Sequence, residues 1–222
     1  ATGVGTNDAT VQVFPSHNNV NGAVGGSQTG DHRCTGIQVN EGRYPQDYIK
    51  TGGTPVSVAA ESLQIGPSLL SSAFGGVMPE ALTIVMKGSM SYANEGLNPQ
   101  VRFFNQSVDN DNNLQALLNT VDARTGQMQV SYRENGYFSA VSGAADAFSP
   151  GSDVPFSLAL VLTATELEGF CNGVSIGKTT HGGIANLLSS PMELFSSGIG
   201  TIENFAIYTG NPGAAALQEA TA

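Results

Sequence analysis

Tryptophan is absent from this chain of 222 residues, cysteine occurs twice, and only 12% of the side chains are charged. Each shortage excludes something. Cys34 and Cys171 lie far apart and cannot build the disulfide framework of a small secreted domain. Two free, mostly buried thiols are expected, because Cys171 sits in an apolar strand pattern; a bond between them in an oxidising compartment is left open. Basic side chains number 8 against 18 acidic ones, for a formal net charge of −10. A surface of that sign repels phosphate backbones, which argues against a nucleic-acid partner. The acids are dispersed, so their charge serves solubility. No run approaches the roughly 18 apolar residues of a membrane span, and membrane insertion is not expected. No charged start leads into an apolar core, so no signal peptide is visible. Whether Ala1 is the true N-terminus is open. His17, His32 and His181 have no partner at metal-ligand spacing, and no Gly-x-Ser-x-Gly, Walker loop or dinucleotide fingerprint is present.

What the chain does have is turns and strands. Glycine numbers 28 and proline 10, beside a hydrophobic content of 40%, enough for a proper core in one large all-β domain or two small ones. Residues 1–35 hold one credible strand, Val11–Phe14. The run from Ser16 to Gly30 has almost nothing to bury and reads as a long loop or an extended arm that a neighbouring chain orders. From Ala81 onward, short apolar and period-2 runs alternate with turn residues. Strands are expected at Ala81–Met86, Val101–Asn105, Gln127–Tyr132, Tyr137–Val141, Phe156–Thr163, Glu166–Cys171, Val174–Ile176, Met192–Phe195 and Thr201–Tyr208. Asn135-Gly136 and Asn172-Gly173 are the residue pairs that best tolerate positive φ in tight hairpins. Leu158, Leu160 and Leu162 are expected to face the core, with Phe205 and Ile207 on a paired or facing strand. Asn211 as cap, Pro212 at the first helical position and Ala214–Glu219 predict a short C-terminal helix. Nearly ten strands with little helix exclude an α/β nucleotide-binding fold.

Two stretches carry a family resemblance. Gly36, Gln38, Gly42, Tyr48, Ile49, Thr51, Ala59, Ala60, Leu63 and Ile65 match in order and spacing a connector of tailed-bacteriophage structural proteins. That connector joins one β-sandwich to a second sandwich of the laminin-G or concanavalin A type. Asn40, Asp47, Lys50 and Glu61 depart from its pattern. The hairpin from Phe156 to Gly177 and the closing strand Gly200–Tyr208 resemble the laminin-G type itself. The resemblance implies an all-β jelly-roll β-sandwich at 66–222, a connector at 36–65 and, at 1–35, an arm or the remnant of a preceding domain. It implies a virion protein, a fibre, spike or appendage of tail or capsid, located on the extracellular phage particle. Its partners would be other virion proteins, copies of itself (a trimer if it is a fibre) and a host-surface glycan used for attachment. The competing class is a lectin-like carbohydrate-binding module of a secreted bacterial protein. Sandwiches of this type host lectins, hydrolases and plain spacers alike, so the fold does not choose among them.

Three constellations bear on chemistry. Glu166 and Glu168 have the acid-x-acid spacing of a glycosidase strand. The glucanases of this type carry a third acid where Phe170 stands, and an aromatic cleft with Trp. Both carboxylates are therefore expected on the solvent side of a strand whose Leu167 points inward; no catalytic residue is assigned, and the chain is read as a non-enzyme. Asp109, Asp111 and Asn113 offer oxygens at alternate positions, as a calcium loop does. Leu114 and Thr120 then break the EF-hand pattern, so a structural Ca2+ on a rim loop is the only cofactor considered, against a polar loop rich in Asx turns. Tyr92, Asn94, Tyr132, Arg133, Asn135 and Tyr137 combine rings with hydrogen-bonding groups and are the candidate glycan-binding set.

Overall fold

Period-2 runs of apolar residues, cut by Gly, Asn and Pro, fold into two antiparallel sheets. The computed structural model describes residues 63–93 and 100–222, which belong to one unit spanning residues 60–222. Expectations placed on Val11–Phe14, the arm, Cys34, His17, His32, most of the connector and Asn94 lie outside the described residues.

In chain order the elements are β1 (Leu63–Ile65), α1 (Pro67–Ala73), β2 (Ala81–Tyr92), β3 (Gln100–Ser107), β4 (Asn113–Asn119), β5 (Gln127–Glu134), β6 (Tyr137–Ser142), β7 (Gly151–Thr163), β8 (Glu166–Cys171), β9 (Val174–Thr180), β10 (Met192–Ser197), β11 (Ile199–Thr209) and α2 (Ala214–Thr221). Sheet A has the order β1-β10-β3-β4-β5-β6, and sheet B the order β11-β2-β7-β8-β9. The chain crosses between sheets after β1, after β2, after β6, and on both sides of β10, the criss-cross of a jelly-roll sandwich. The expected fold class is the observed one, short C-terminal helix included.

Each sheet turns alternate side chains inward. Leu158, Leu160 and Leu162 of β7 meet Leu114, Ala116 and Leu118 of β4 and Val130 and Tyr132 of β5 in one buried core. Phe103 and Phe156, one from each sheet, have ring centroids 4.6 Å apart. Both Asn-Gly hairpins form as expected: Asn135 and Gly136 have φ of 47° and 85°, and Asn172 and Gly173 have 48° and 78°. The positive φ at all four positions is why this residue pair is needed there.

Sheet B has a second, smaller core on its outer side. Val85, Ala159, Val161 and Phe170 are buried there with Leu217 of α2. The C-terminal end of α2 is tied down by Thr221, whose Oγ1 donates to Leu217 O at 2.8 Å and accepts the Gly173 N–H at 3.2 Å.

Two sequence expectations need correcting, and three elements were not foreseen. Phe205 and Ile207 lie on β11, which is neither paired with β7 nor facing it; β2 intervenes, pairing Ile84 with Leu160 on one side and with Ile207 on the other. The two residues are half-buried against the main core. Helix α2 starts at Ala214, not Pro212, because Gly213 takes φ 89°; Asn211 instead accepts the Gly213 N–H at 2.8 Å, ahead of the helix. Strand β4 was hidden because its adjacent Leu117 and Leu118 break the alternation. The short β1 and α1 were also missed: β1 has three residues, and α1 has no side-chain cap, charged first turn or basic last turn.

Candidate functional site

The two outer faces of the sandwich differ. On sheet B, α2 lies over β7 and β8. On sheet A neither α1 nor α2 covers the outer face, since Leu70 of α1 joins the inner core. The cross-strand registers lay out that open face in rows. One row runs Ser107, Asn113, Arg133, Phe138; the next runs Glu193, Asn105, Gln115, Ser131, Ala140; a third runs Arg102, Leu117, Gln129, Ser142. These are the positions that alternate with Leu114, Ala116, Leu118, Met128, Val130 and Tyr132, all of which point into the core.

The face is therefore largely a pavement of amides and hydroxyls with two arginines. Asn105 Nδ2 donates to Glu193 Oε2 at 3.4 Å, and Gln129 Nε2 to Ser142 Oγ at 3.1 Å. Ser131 Oγ and Arg133 Nε are shut off from solvent without a hydrogen-bond partner, a rare condition for buried polar atoms.

One end of the face is a rim made by the β5–β6 turn and the β3–β4 loop. Asn135 N donates to Asn112 Oδ1 at 3.1 Å, Gly136 N to Asp111 O at 3.1 Å, and Arg133 Nη1 to Asn110 O at 3.0 Å. The Arg133 guanidinium carbon stands 5.4 Å from the centroid of the Phe138 ring. Tyr137 and Phe138 are 81% and 54% exposed at this rim.

The tyrosines of the candidate set divide. Arg133, Asn135 and Tyr137 gather at the rim. Tyr92 and Tyr132 are buried, at 3% and 0% exposure, so neither ring is a platform for a sugar; this is a correction. The alternation that places Val130 inward places Tyr132 inward as well. Its hydroxyl donates to Gly183 O at 3.1 Å and accepts the Ala185 N–H, while the His181 ring packs edge-on at 4.8 Å. It thereby ties the 181–185 segment to the core. Tyr92 donates to Phe148 O at 2.7 Å. Burial pushes both phenols up to about 12, with the charges of Asp146 (on Tyr92) and Glu134 (on Tyr132) adding to it and the Ala185 bond opposing it at Tyr132. Cys171, a buried free thiol, is pushed up to about 12 by burial alone.

The calcium candidates sit in the rim loop. Asp109 Oδ1 accepts the Asp111 N–H at 2.9 Å and the Asn112 amide at 3.0 Å, an Asx turn that closes the loop on itself. Asn113 is the first residue of β4. Among the described residues no three His, Cys, Asp or Glu side chains come together as a metal would need.

Glu166 and Glu168 lie on the outer side of β8, and Leu167 between them is fully buried in the core. Glu166 pairs with Lys178 at 3.0 Å, and that partner holds the lysine above its ordinary range. Phe170, two residues on, is buried in the small core with Leu217 of α2, so α2 fills the outer face at the position where the third acid would stand.

Phe138, Gln115, Gln129 and Ser131 do not stand out in the sequence. The signal was available in Gln127-Met-Gln-Val-Ser-Tyr-Arg133, where every second residue is polar. Only the register shows that these polar residues align with those of β4 and β6.

The sequence matches no protein-family model, and the search of curated proteins gives no match. Among solved structures the chain is similar to the CBM40 carbohydrate-binding module of the Ruminococcus gnavus IT-sialidase, whose structure holds α2,3-sialyllactose. That pair has a TM-score of 0.53 and 14% identity over 73% of this chain and 97% of that one. It is also similar to the NanB sialidase of Streptococcus pneumoniae, with TM-score 0.52 and 16% identity over 72% of this chain but 26% of that one. Botulinum neurotoxin type C, described as depending on two ganglioside molecules for cell entry, gives TM-score 0.52 and 13% identity over 67% and 37%. The chain thus spans nearly all of the isolated module and only about a quarter of the NanB chain. At these identities the likeness is one of fold.

Proposed function

We propose that this chain is a lectin-like carbohydrate-binding module, not a catalytic domain, that reads a glycan on the outer face of sheet A. One observation carries the reading: of the two outer sheet faces, the described helices cover one and leave the other open, paved in register with amides, hydroxyls and two arginines and edged by exposed rings. Asn, Gln and Ser side chains both donate and accept, as sugar hydroxyls do. An exposed aromatic at the edge supplies the apolar contact that a polar pavement lacks. The fold likeness to sialidase-associated modules and to a ganglioside-dependent toxin supports the same class of ligand.

A titration with glycans followed by amide chemical shifts tests this. Shifts should concentrate on Gln115, Gln129, Ser131 and Phe138. Saturable shifts confined to the α2 side of the sandwich would move the site to sheet B and end this reading.

A second reading places the module on a tailed-phage particle. It rests on the connector resemblance, whose last matched residues, Leu63 and Ile65, begin the sandwich as β1 and pair with Leu194 and Met192. There the sandwich would be the host-attachment part of a symmetric, trimeric appendage, and residues 1–35 would meet the other virion proteins. Light scattering on the purified chain and electron microscopy of the native assembly test it; a monomer that is absent from any particle would remove it.

A further inference from the structure

We propose that the rim end of this face takes an uncharged sugar residue stacked on the Phe138 ring, with Arg133 as the positioning residue that holds the ring. This rests on the glycan-binding reading and adds the platform and the class of sugar.

Phe138 is 54% exposed, and it has no polar atom that hydration would favour. Directly opposite it on the neighbouring strand is Arg133, whose guanidinium carbon lies 5.4 Å from the ring centroid. A guanidinium over the ring fixes its orientation by cation–π attraction. The remaining apolar surface of the ring is what a sugar's C–H face would cover, removing both from water.

Charge decides the class of sugar. A carboxylated sugar is gripped best by two parallel hydrogen bonds from an arginine fork. Arg133 is already partly committed. Its Nε is closed off from solvent, which removes the two-nitrogen edge that includes Nε, and its Nη1 already spends one N–H on Asn110 O at 3.0 Å. Asp109 and Asp111 belong to the same rim loop and add negative potential where a sugar carboxylate would have to sit. The face's other cation, Arg102, stands two rows away, paired with Leu117. Beside Phe138 the next row brings Gln115, whose amide bonds hydroxyls without needing charge on the ligand.

The experiment is an array of neutral oligosaccharides beside their α2,3- and α2,6-sialylated counterparts. It is probed with the full chain and with Phe138→Ala, Phe138→Trp and Arg133→Lys, followed by titration of whatever binds. Neutral glycans should bind, with affinity falling at least about tenfold in Phe138→Ala and holding in Phe138→Trp. Arg133→Lys keeps the charge but loses the flat stack; it should weaken binding about three- to tenfold with the melting temperature unchanged. Wild-type binding restricted to sialylated glycans, or neutral binding untouched by Phe138→Ala, overturns this proposal and leaves the glycan-binding reading standing. Full affinity in Arg133→Lys removes the positioning role. No binding to any glycan on the array overturns both readings.

Discussion

The outer faces of the two sheets start from the same geometry and end differently. On sheet B, β7 carries apolar residues on both sides: Leu158, Leu160 and Leu162 inward, Ala159 and Val161 outward. A strand apolar on both faces needs a second cover, and α2 supplies it through Leu217. On sheet A, β4 and β5 are apolar on the inner side and set Gln115, Gln129, Ser131 and Arg133 outward, so nothing drives a helix onto that side. A strand's second face thus foretells whether a helix of the chain will pack on it. Leu117 is the exception, an outward leucine that is 2% exposed opposite Gln129.

The strongest break of this comparison is at the shared inner core. Leu160→Ala should destabilise by about 2–5 kcal/mol in denaturant unfolding, because a packed sandwich cannot close over the lost volume. A cost under roughly 1 kcal/mol would mean that the site relaxes freely. Next comes the cover of sheet B. Leu217→Ala should cost about 2 kcal/mol, at the low end for leucine, since the small core has few members; protection of the α2 amides from hydrogen exchange should fall with it. An unchanged helix would show that Thr221 and its hydrogen bonds, and not Leu217, hold α2 down.

Tyr132→Phe comes third. It leaves Gly183 O and the Ala185 N–H without their partner, at about 1–3 kcal/mol. It also sharpens a pH effect. Tyr92 and Tyr132 titrate near 12 when folded against an ordinary 10.0, and Cys171 near 12 against 9.0. The unfolded chain gives up these protons first, so their stabilisation is full below about pH 9 and is lost as the pH rises toward 12. The melting temperature should fall across that window, and less steeply in Tyr132→Phe. Equal slopes would mean that Tyr132 does not hold its proton more tightly when folded.

The smallest effect is on the open face. Gln129→Ala should change stability by no more than about 0.5 kcal/mol, as a partly exposed polar group on a sheet surface does, while weakening glycan binding measured by titration. A large loss of stability instead would show that the amide pavement is part of the packing.

Much of the fold was legible locally. Phe156-Ser-Leu-Ala-Leu-Val-Leu162 announced a central strand by its apolar run, and Asn135-Gly136 and Asn172-Gly173 announced their hairpins by the φ that only such pairs accept easily. Strand β4 was not legible, because a loop rich in Asp and Asn precedes it and two adjacent leucines blur its period. The candidate site was half legible. Arg133, Asn135 and Tyr137 stand out beside a turn and do meet at the rim, but Tyr92 and Tyr132 look alike in sequence and are core posts. A tyrosine in an alternating strand can face either way, and what surrounds its hydroxyl is set by distant segments, here Phe148 and the 183–185 turn.

The sequence by itself determined the fold class, the two tight hairpins, the C-terminal helix to within its first turn and the absence of a third acid beside Glu166 and Glu168. These depend on backbone preference and side-chain alternation, which act over a few residues. Only the tertiary structure decided that β2 separates β11 from β7, that α2 packs on sheet B and not on sheet A, and that Phe138 stands beside Arg133 in an otherwise polar row. Those depend on register and on which strands become neighbours, and these are settled when residues far apart in the chain compete to bury the same apolar surface.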